Sequence, residues 1–144
     1  MNVLVINGPS LNLLGTREPH LYGATTLAEI ERRLVDVGVE LGVSVTCVQS
    51  NHEGALIDRI HAARGQADAL IVNAGAYSHT SIALKDALAA VAIPYAEVHL
   101  TNIFGREPER RHSMLAAGAR AVLCGFGAAG YELALRGIVS ALRA

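Results

Sequence analysis

Residues 3–42 read VLVINGPSLNLLGTREPHLYGATTLAEIERRLVDVGVELG, and three successive patterns in them set the architecture. Residues 3–6 form an unbroken apolar run, the mark of a strand covered on both faces. Thr26 and Glu29 have the spacing of a capping box, and Leu27, Ile30, Leu34, Val37 and Leu41 then recur at helical intervals until Gly42 ends the pattern. Between strand and helix lies a polar segment, residues 6–23, punctuated by Gly and Pro. A strand-to-helix connection usually takes about 2–6 residues, so a segment this long predicts a binding loop or lid.

The same alternation runs to the end of the chain. Residues 43–48 predict a second strand. Ser50 and Glu53 then predict a second capping box, opening a helix that carries Leu56, Ile57 and Ile60. Residues 69–72 predict strand three and residues 73–79 a turn. Thr80 or Ser81 is placed to cap a helix with Leu84, Leu88 and Val91 inside. Pro94 restarts the chain into strand four, residues 95–100. A polar stretch, 101–113, and a short segment near Met114 lead to strand five, residues 119–124, and a closing helix, 131–143. Strands alternating with helices predict an α/β fold: a five-stranded parallel sheet, doubly wound and flavodoxin-like, in one domain spanning residues 1–144. Such sheets bind ligands at the carboxyl ends of their strands, where strand order reverses.

Composition narrows the function. Of the 144 residues, 51% are hydrophobic and 17% charged, which supports a packed core. The net charge of −1 and the lack of a basic block give no support to nucleic-acid binding. No apolar run approaches the roughly 18 residues of a membrane span. The N-terminus enters a strand pattern directly, without a basic segment or cleavage site, so a cytoplasmic protein is expected. Cys47 and Cys124 lie in β-like apolar runs and read as inert buried thiols. Lys85 is the single lysine, so Schiff-base chemistry would have to use it.

If the chain is an enzyme, polar side chains should gather after the strands, and they do. Strand one is followed by Asn7, Ser10, Asn12, Arg17 and Tyr22, and strand two by Ser50, Asn51, His52 and Glu53. Strand three is followed by Asn73, Tyr77, Ser78 and His79. Strand four ends in Glu97, His99, Thr101 and Asn102, with Arg106, Arg110, Arg111 and His112 beyond. The set suits a small, polar, anionic ligand. Glu97 and His99, two apart on a strand, share a face. A carboxylate beside an imidazole fixes its tautomer and favours its charged form, as a general acid requires. A satisfied structural histidine is an equal alternative, and a metal site built from Glu97, His99 and His79 a weaker one.

Tyrosine ionises near pH 10, so a Tyr22 acting as base at neutrality needs roughly 3 kcal/mol of preferential phenolate stabilisation. The nearby Arg17 guanidinium is the candidate source; a surface tyrosine beside an unengaged arginine is the alternative. Asn73 with its Ala-Gly-Ala turn could hold a hydroxyl or carboxylate, and His79 precedes a helix N-terminus, where anions are favoured. GFGAAG at 125–130 matches the dinucleotide fingerprint G-x-G-x-x-G. That fingerprint also needs an acidic residue about 20 positions on. Only 14 residues follow, so the glycines read as a tight turn.

Taken together, INGPSLNLLGTREPHLYG, QSNHEG, NAGAYSHTS, EVHLTN, RRHS and GFGAAGY resemble type II 3-dehydroquinate dehydratase, over essentially the whole chain and in order. The resemblance implies dehydration of 3-dehydroquinate to 3-dehydroshikimate by an anti elimination through an enolate, without cofactor or metal. The reaction belongs to the shikimate pathway or to quinate breakdown. The resemblance makes Tyr22 the base and Arg17 the group that favours its phenolate. It makes His99 the general acid, with Glu97 orienting it. Asn73, His79, Leu100, Thr101 and Arg110 fall at substrate-binding positions, and Asp86 at an acidic position that reaches a neighbouring subunit's site. The implied assembly is a homododecamer, a tetramer of trimers. One position departs: the family usually reads GPNLN, and Ser10 stands where its first asparagine helps hold a water near the enolate. Serine is shorter, so turnover should be lower than usual. A flavodoxin-like small-anion binding or regulatory protein with weakened catalysis is the competing reading, and Ser10 is its only support.

Overall fold

The apolar runs become strands β1 (Asn2–Asn7), β2 (Ser44–Gln49), β3 (Ala69–Asn73), β4 (Tyr95–His99) and β5 (Ala121–Cys124). They form one all-parallel sheet in the order β2-β1-β3-β4-β5, the flavodoxin-like doubly wound arrangement. The computed structural model describes residues 1–16 and 18–144; Arg17 and the side chain of Tyr22 lie outside the described residues. Burial on both faces holds for the central strands β1, β3 and β4. β2 and β5 border the sheet, so their residues are exposed or half-buried. Cys47 and Cys124 lie on these edge strands and are half-buried free thiols rather than fully buried ones.

Among the described residues the helices are α1 (Pro19–Tyr22), α2 (Leu27–Leu41), α3 (Glu53–Ala62), α4 (Ile82–Val91) and α5 (Ala129–Arg143), of which α2 to α5 cover the sheet. Thr26 caps α2 by accepting the Glu29 N–H at 3.2 Å. Gly42 closes that helix at φ +71°, a left-handed conformation open to glycine at little cost. Ser81, not Thr80, caps α4 by accepting the Leu84 N–H at 2.9 Å. The capping box expected at Ser50 and Glu53 does not form. His52 is the N-cap of α3; the Ser50 hydroxyl accepts the His52 N–H at 3.0 Å, and the Glu53 carboxylate accepts from Ser81 Oγ at 2.5 Å. Both side chains have other partners, and Ser50 lies two residues before the N-cap position.

Strand alternation divides the core into two layers. Val3, Val5, Ile71 and Val98 face α2 and α5, meeting Leu34, Val37, Leu135 and Ile138. Leu4, Ile6, Leu70 and Val72 face α3 and α4, meeting Leu56, Ile60, Leu84 and Leu88. Each such side chain contributes about 1.5–3 kcal/mol through burial.

Strand order reverses between β1 and β3, and there the two outgoing chains run backbone against backbone. The Gly8 N–H donates to the Asn73 carbonyl at 2.8 Å. A Cβ at residue 8 would lie 2.3 Å from the Ala74 carbonyl oxygen, so only glycine fits. Gly8→Ala should force the β1 and β3 exits apart and cost about 1–3 kcal/mol. Equilibrium urea unfolding measures this, and an unchanged midpoint would contradict the tight approach.

Candidate active site

At the carboxyl ends of β1, β3 and β4 the chain leaves a small polar cleft, open on one side. Ser10 enters from the loop after β1, and Asn73 and His79 from the end of β3 and its 3-10 turn, Gly75–His79. His99, Leu100, Thr101, Arg106 and Arg110 line the side nearest β4. Seven residues singled out in the sequence therefore share one cavity. Glu97 stands behind His99, fully buried. Asp86 does not line the cavity; it is exposed on α4. The positions assigned to Arg17 and the Tyr22 side chain lie outside the described residues.

Tyr95, Glu97 and His99 alternate onto the α3–α4 face of the sheet. The His99 Nε2–H donates to Glu97 Oε2. A carboxylate can only accept, so the neutral ring carries its proton on Nε2 and keeps a lone pair on Nδ1. Glu97 is 0% exposed, and among the described residues its Oε1 has no hydrogen-bond partner. A buried carboxylate is costly unless it is paired, and His99 is the charge-capable group bonded to it. Burial first, and the Glu97 carboxylate second, push the Tyr95 phenol up to about 12. It remains a neutral donor to the Leu115 carbonyl.

His79 and His112 hold each other reciprocally. His79 Nδ1–H donates to the His112 carbonyl at 2.7 Å, and His112 Nε2–H donates to the His79 carbonyl at 2.8 Å. The His79 and His99 rings are near-parallel, 6.0 Å apart at 22°. Burial holds the His79 imidazole below its ordinary range. The hydrogen bond to the His112 carbonyl opposes this, and the charges of His99, Arg110 and His112 add smaller depressions. Neutral His79 keeps Nε2 as an acceptor. Among the described residues no group of three or more His, Cys, Asp or Glu side chains is placed to hold a metal ion.

Arg106 is the one lining cation the sequence reading raised without selecting. Its Nη1 donates to Thr101 Oγ1 at 3.1 Å. Arg110, which also lines the cleft, donates from Nε to the Glu107 carboxylate. Two guanidinium groups on one wall suit an anionic ligand.

Ser10 sits at φ +67°, a left-handed conformation that asparagine adopts more readily than serine. The loop is pinned from β2, a contribution the sequence reading missed. Asn51 Oδ1 accepts the Ser10 N–H at 3.0 Å, and Gln49 Nε2 donates to the Gly8 carbonyl and to Asn51 Oδ1, both at 3.1 Å. The only sequence signal was that Gln49 ends, and Asn51 follows, the strand adjacent to β1. The GFGAAG turn does not line the cleft. Its Gly125 and Gly127 N–H groups donate to the His99 and Leu100 carbonyls at 3.3 and 2.9 Å, so they are unavailable to a phosphate.

The sequence model for dehydroquinase class II matches residues 1–139. The chain belongs to the class II dehydroquinase family. A 3-dehydroquinate dehydratase of Gemmatimonas aurantiaca is 60% identical over 142 residues, 99% of this chain and 93% of that one. Catabolic 3-dehydroquinase 2 of Aspergillus flavus is 53% identical over 135 residues, 94% of this chain and 90% of that one. The crystal structure of a type II dehydroquinase from Butyrivibrio crossotus superposes with a TM-score of 0.94 at 39% identity, covering 96% of this chain and 97% of that one. As a class II dehydroquinase the chain is an enzyme of the hydro-lyase class.

The depressed His79 has a consequence for stability. An unfolded histidine titrates near pH 6.5, and folded His79 below that. Between the two values the unfolded chain binds the extra proton, so this contribution is complete above about pH 6.5 and is lost as pH falls through the folded value. Urea unfolding at pH 7.5 and pH 5 should show His79→Asn losing less stability on acidification than the wild type. An equal loss in both proteins would contradict a buried, neutral His79.

Proposed function

We propose that this class II dehydroquinase dehydrates 3-dehydroquinate to 3-dehydroshikimate through an enolate, by anti elimination. The single observation that carries the reading is the buried Glu97–His99 pair, with His99 lining the cavity that also holds Asn73, His79 and Arg110. The Tyr22 phenolate, favoured by the Arg17 guanidinium, takes a proton from the carbon alpha to the ketone. The electron pair moves onto the ketone oxygen as an enolate, where electrostatic support matters most. The enolate then collapses, forming the carbon–carbon double bond and breaking the bond to the β-hydroxyl. His99 enters this step as the imidazolium, held by the Glu97 carboxylate; it protonates that hydroxyl from Nδ1, so the hydroxyl departs as water and the neutral ring keeps its proton on Nε2, toward Glu97. Base and acid act from opposite sides of the ring.

Asn73, His79, Leu100, Thr101 and Arg110 bind the substrate, with its carboxylate toward the guanidinium of Arg110. Ser10 positions a water near the enolate. Asp86, exposed on α4 and away from its own cleft, serves the site of a neighbouring copy within a homododecamer built as a tetramer of trimers. We place the enzyme in the cytoplasm; no helix among the described residues is long and apolar enough to cross a membrane. The alternative, a small-anion binding protein with weakened catalysis, draws on Ser10 in its left-handed position.

The conjugated enone product absorbs in the ultraviolet, so mixing the protein with 3-dehydroquinate should produce a continuous rise in absorbance. Tyr22→Phe, Arg17→Ala and His99→Ala should each lower kcat by about 10²–10⁴-fold, and Ser10→Asn should raise it. Tight binding of 3-dehydroquinate without any rise would favour the binding protein. Near-normal rates in Tyr22→Phe or His99→Ala would reject the assigned base or acid.

A further inference from the structure

Three polar side chains are sealed together beneath the cleft, on the α2–α5 face of the sheet. Asn7 ends β1, Asn73 ends β3 directly opposite it in register, and Tyr131 lies in the first turn of α5. Their exposures are 0%, 3% and 1%, so no water competes for their hydrogen bonds. The Tyr131 hydroxyl donates to Asn7 Oδ1 at 2.6 Å, and Asn73 Nδ2 donates to the Tyr131 oxygen at 2.8 Å. The Gly75 N–H donates to Asn73 Oδ1 at 3.2 Å.

Donor and acceptor chemistry gives this chain one direction. A backbone N–H can only donate, so Gly75 marks the carbonyl oxygen of Asn73 and turns its NH₂ toward Tyr131. The Tyr131 oxygen therefore accepts from Asn73 and must spend its own proton on Asn7. Burial, with the Asn73 hydrogen bond a smaller opposing influence, holds the Tyr131 phenol far above its ordinary range, so it remains a neutral O–H donor. Of the three residues, only Asn73 lines the cleft. With one N–H committed to Tyr131, its second N–H is the donor left for a ligand.

We infer that Tyr131 and Asn7 are positioning residues of this enzyme: they lock the Asn73 amide so that it offers the cleft an N–H donor for a hydroxyl or carboxylate oxygen of the substrate. Without the phenolic oxygen, the Asn73 NH₂ loses its buried acceptor and the amide is held by the Gly75 contact alone. This rests on the proposed dehydratase reading, because the readout is turnover of 3-dehydroquinate.

A double-mutant cycle tests it. We would measure kcat/KM by enone absorbance for the wild type, Tyr131→Phe, Asn73→Ala and the double variant, and a thermal melt for each. Phe keeps the ring packing and removes only the hydroxyl. Tyr131→Phe should lower kcat/KM about 10-fold, and Asn73→Ala should lower it at least as much. The double variant should be no worse than Asn73→Ala alone, although its melting temperature falls further. Asn7→Ser breaks the same chain from its other end and should give the same non-additive pattern. Multiplicative losses in both cycles, or a Tyr131→Phe enzyme with wild-type kcat/KM, would overturn the inference. A wild-type protein that forms no enone would instead reject the dehydratase reading.

Discussion

A carboxylate without solvent exposure sits at the centre of this protein, and the rest of the site is arranged around it. Glu97 lies near the end of β4, flanked in the sheet by β3 and β5, with the α3–α4 layer over its face. The sheet strips away its water, and the His99 ring nitrogen provides the charge-capable partner. Desolvation makes the pair costly to break, because removing the imidazole would leave an uncompensated buried charge. It also gives the pair direction: Nε2 is committed inward to Glu97, leaving Nδ1 as the nitrogen free to work on a ligand. Tyr95, next along the same face, is kept neutral by burial and by that carboxylate.

Around this pair, backbone approaches set the shape of the cleft. Strand order reverses between β1 and β3, and the Gly8–Asn73 hydrogen bond brings the two outgoing loops into contact there. The β1 loop carries Ser10 to the cleft and is held from β2 by Gln49 and Asn51. The β3 loop carries Asn73 and His79. The reciprocal His79–His112 clasp fastens that loop to the segment bearing Arg106 and Arg110. Each wall is therefore fixed by contacts to a second wall, which favours a preorganised site.

Much of this was legible in the sequence, for identifiable reasons. Central strands announce themselves by continuous apolar runs, and the Thr26–Glu29 spacing placed α2 because the Thr26 hydroxyl does accept the Glu29 N–H. Glu97 and His99 had to share a face because strand periodicity is fixed. What was misread depended on long-range partners. Ser50 and Glu53 have capping-box spacing, yet Ser81, 28 residues beyond Glu53, takes the carboxylate. β5 is as apolar as the interior strands, and only sheet order reveals it as an edge, whereas β2 already interrupts its apolar residues with Ser44, Thr46 and Gln49. Nothing local to Tyr131 marks its role, since its hydroxyl meets Asn7 across 124 positions of sequence. Arg106 was one of three arginines in a polar stretch, and only the turn geometry brings it to Thr101. The glycines of GFGAAG matched a phosphate-binding motif, while their N–H groups serve the end of β4.

The buried Glu97–His99 pair as the source of the departing hydroxyl's proton is the point on which the chemistry turns. Steady-state kinetics of Glu97→Gln on 3-dehydroquinate tests it most directly, since the amide keeps the shape and an acceptor but removes the charge that supports the imidazolium. The charged pair predicts a fall in kcat of about 10²-fold, with KM changed only a few-fold. A Glu97→Gln enzyme that turns over at the wild-type kcat would contradict it.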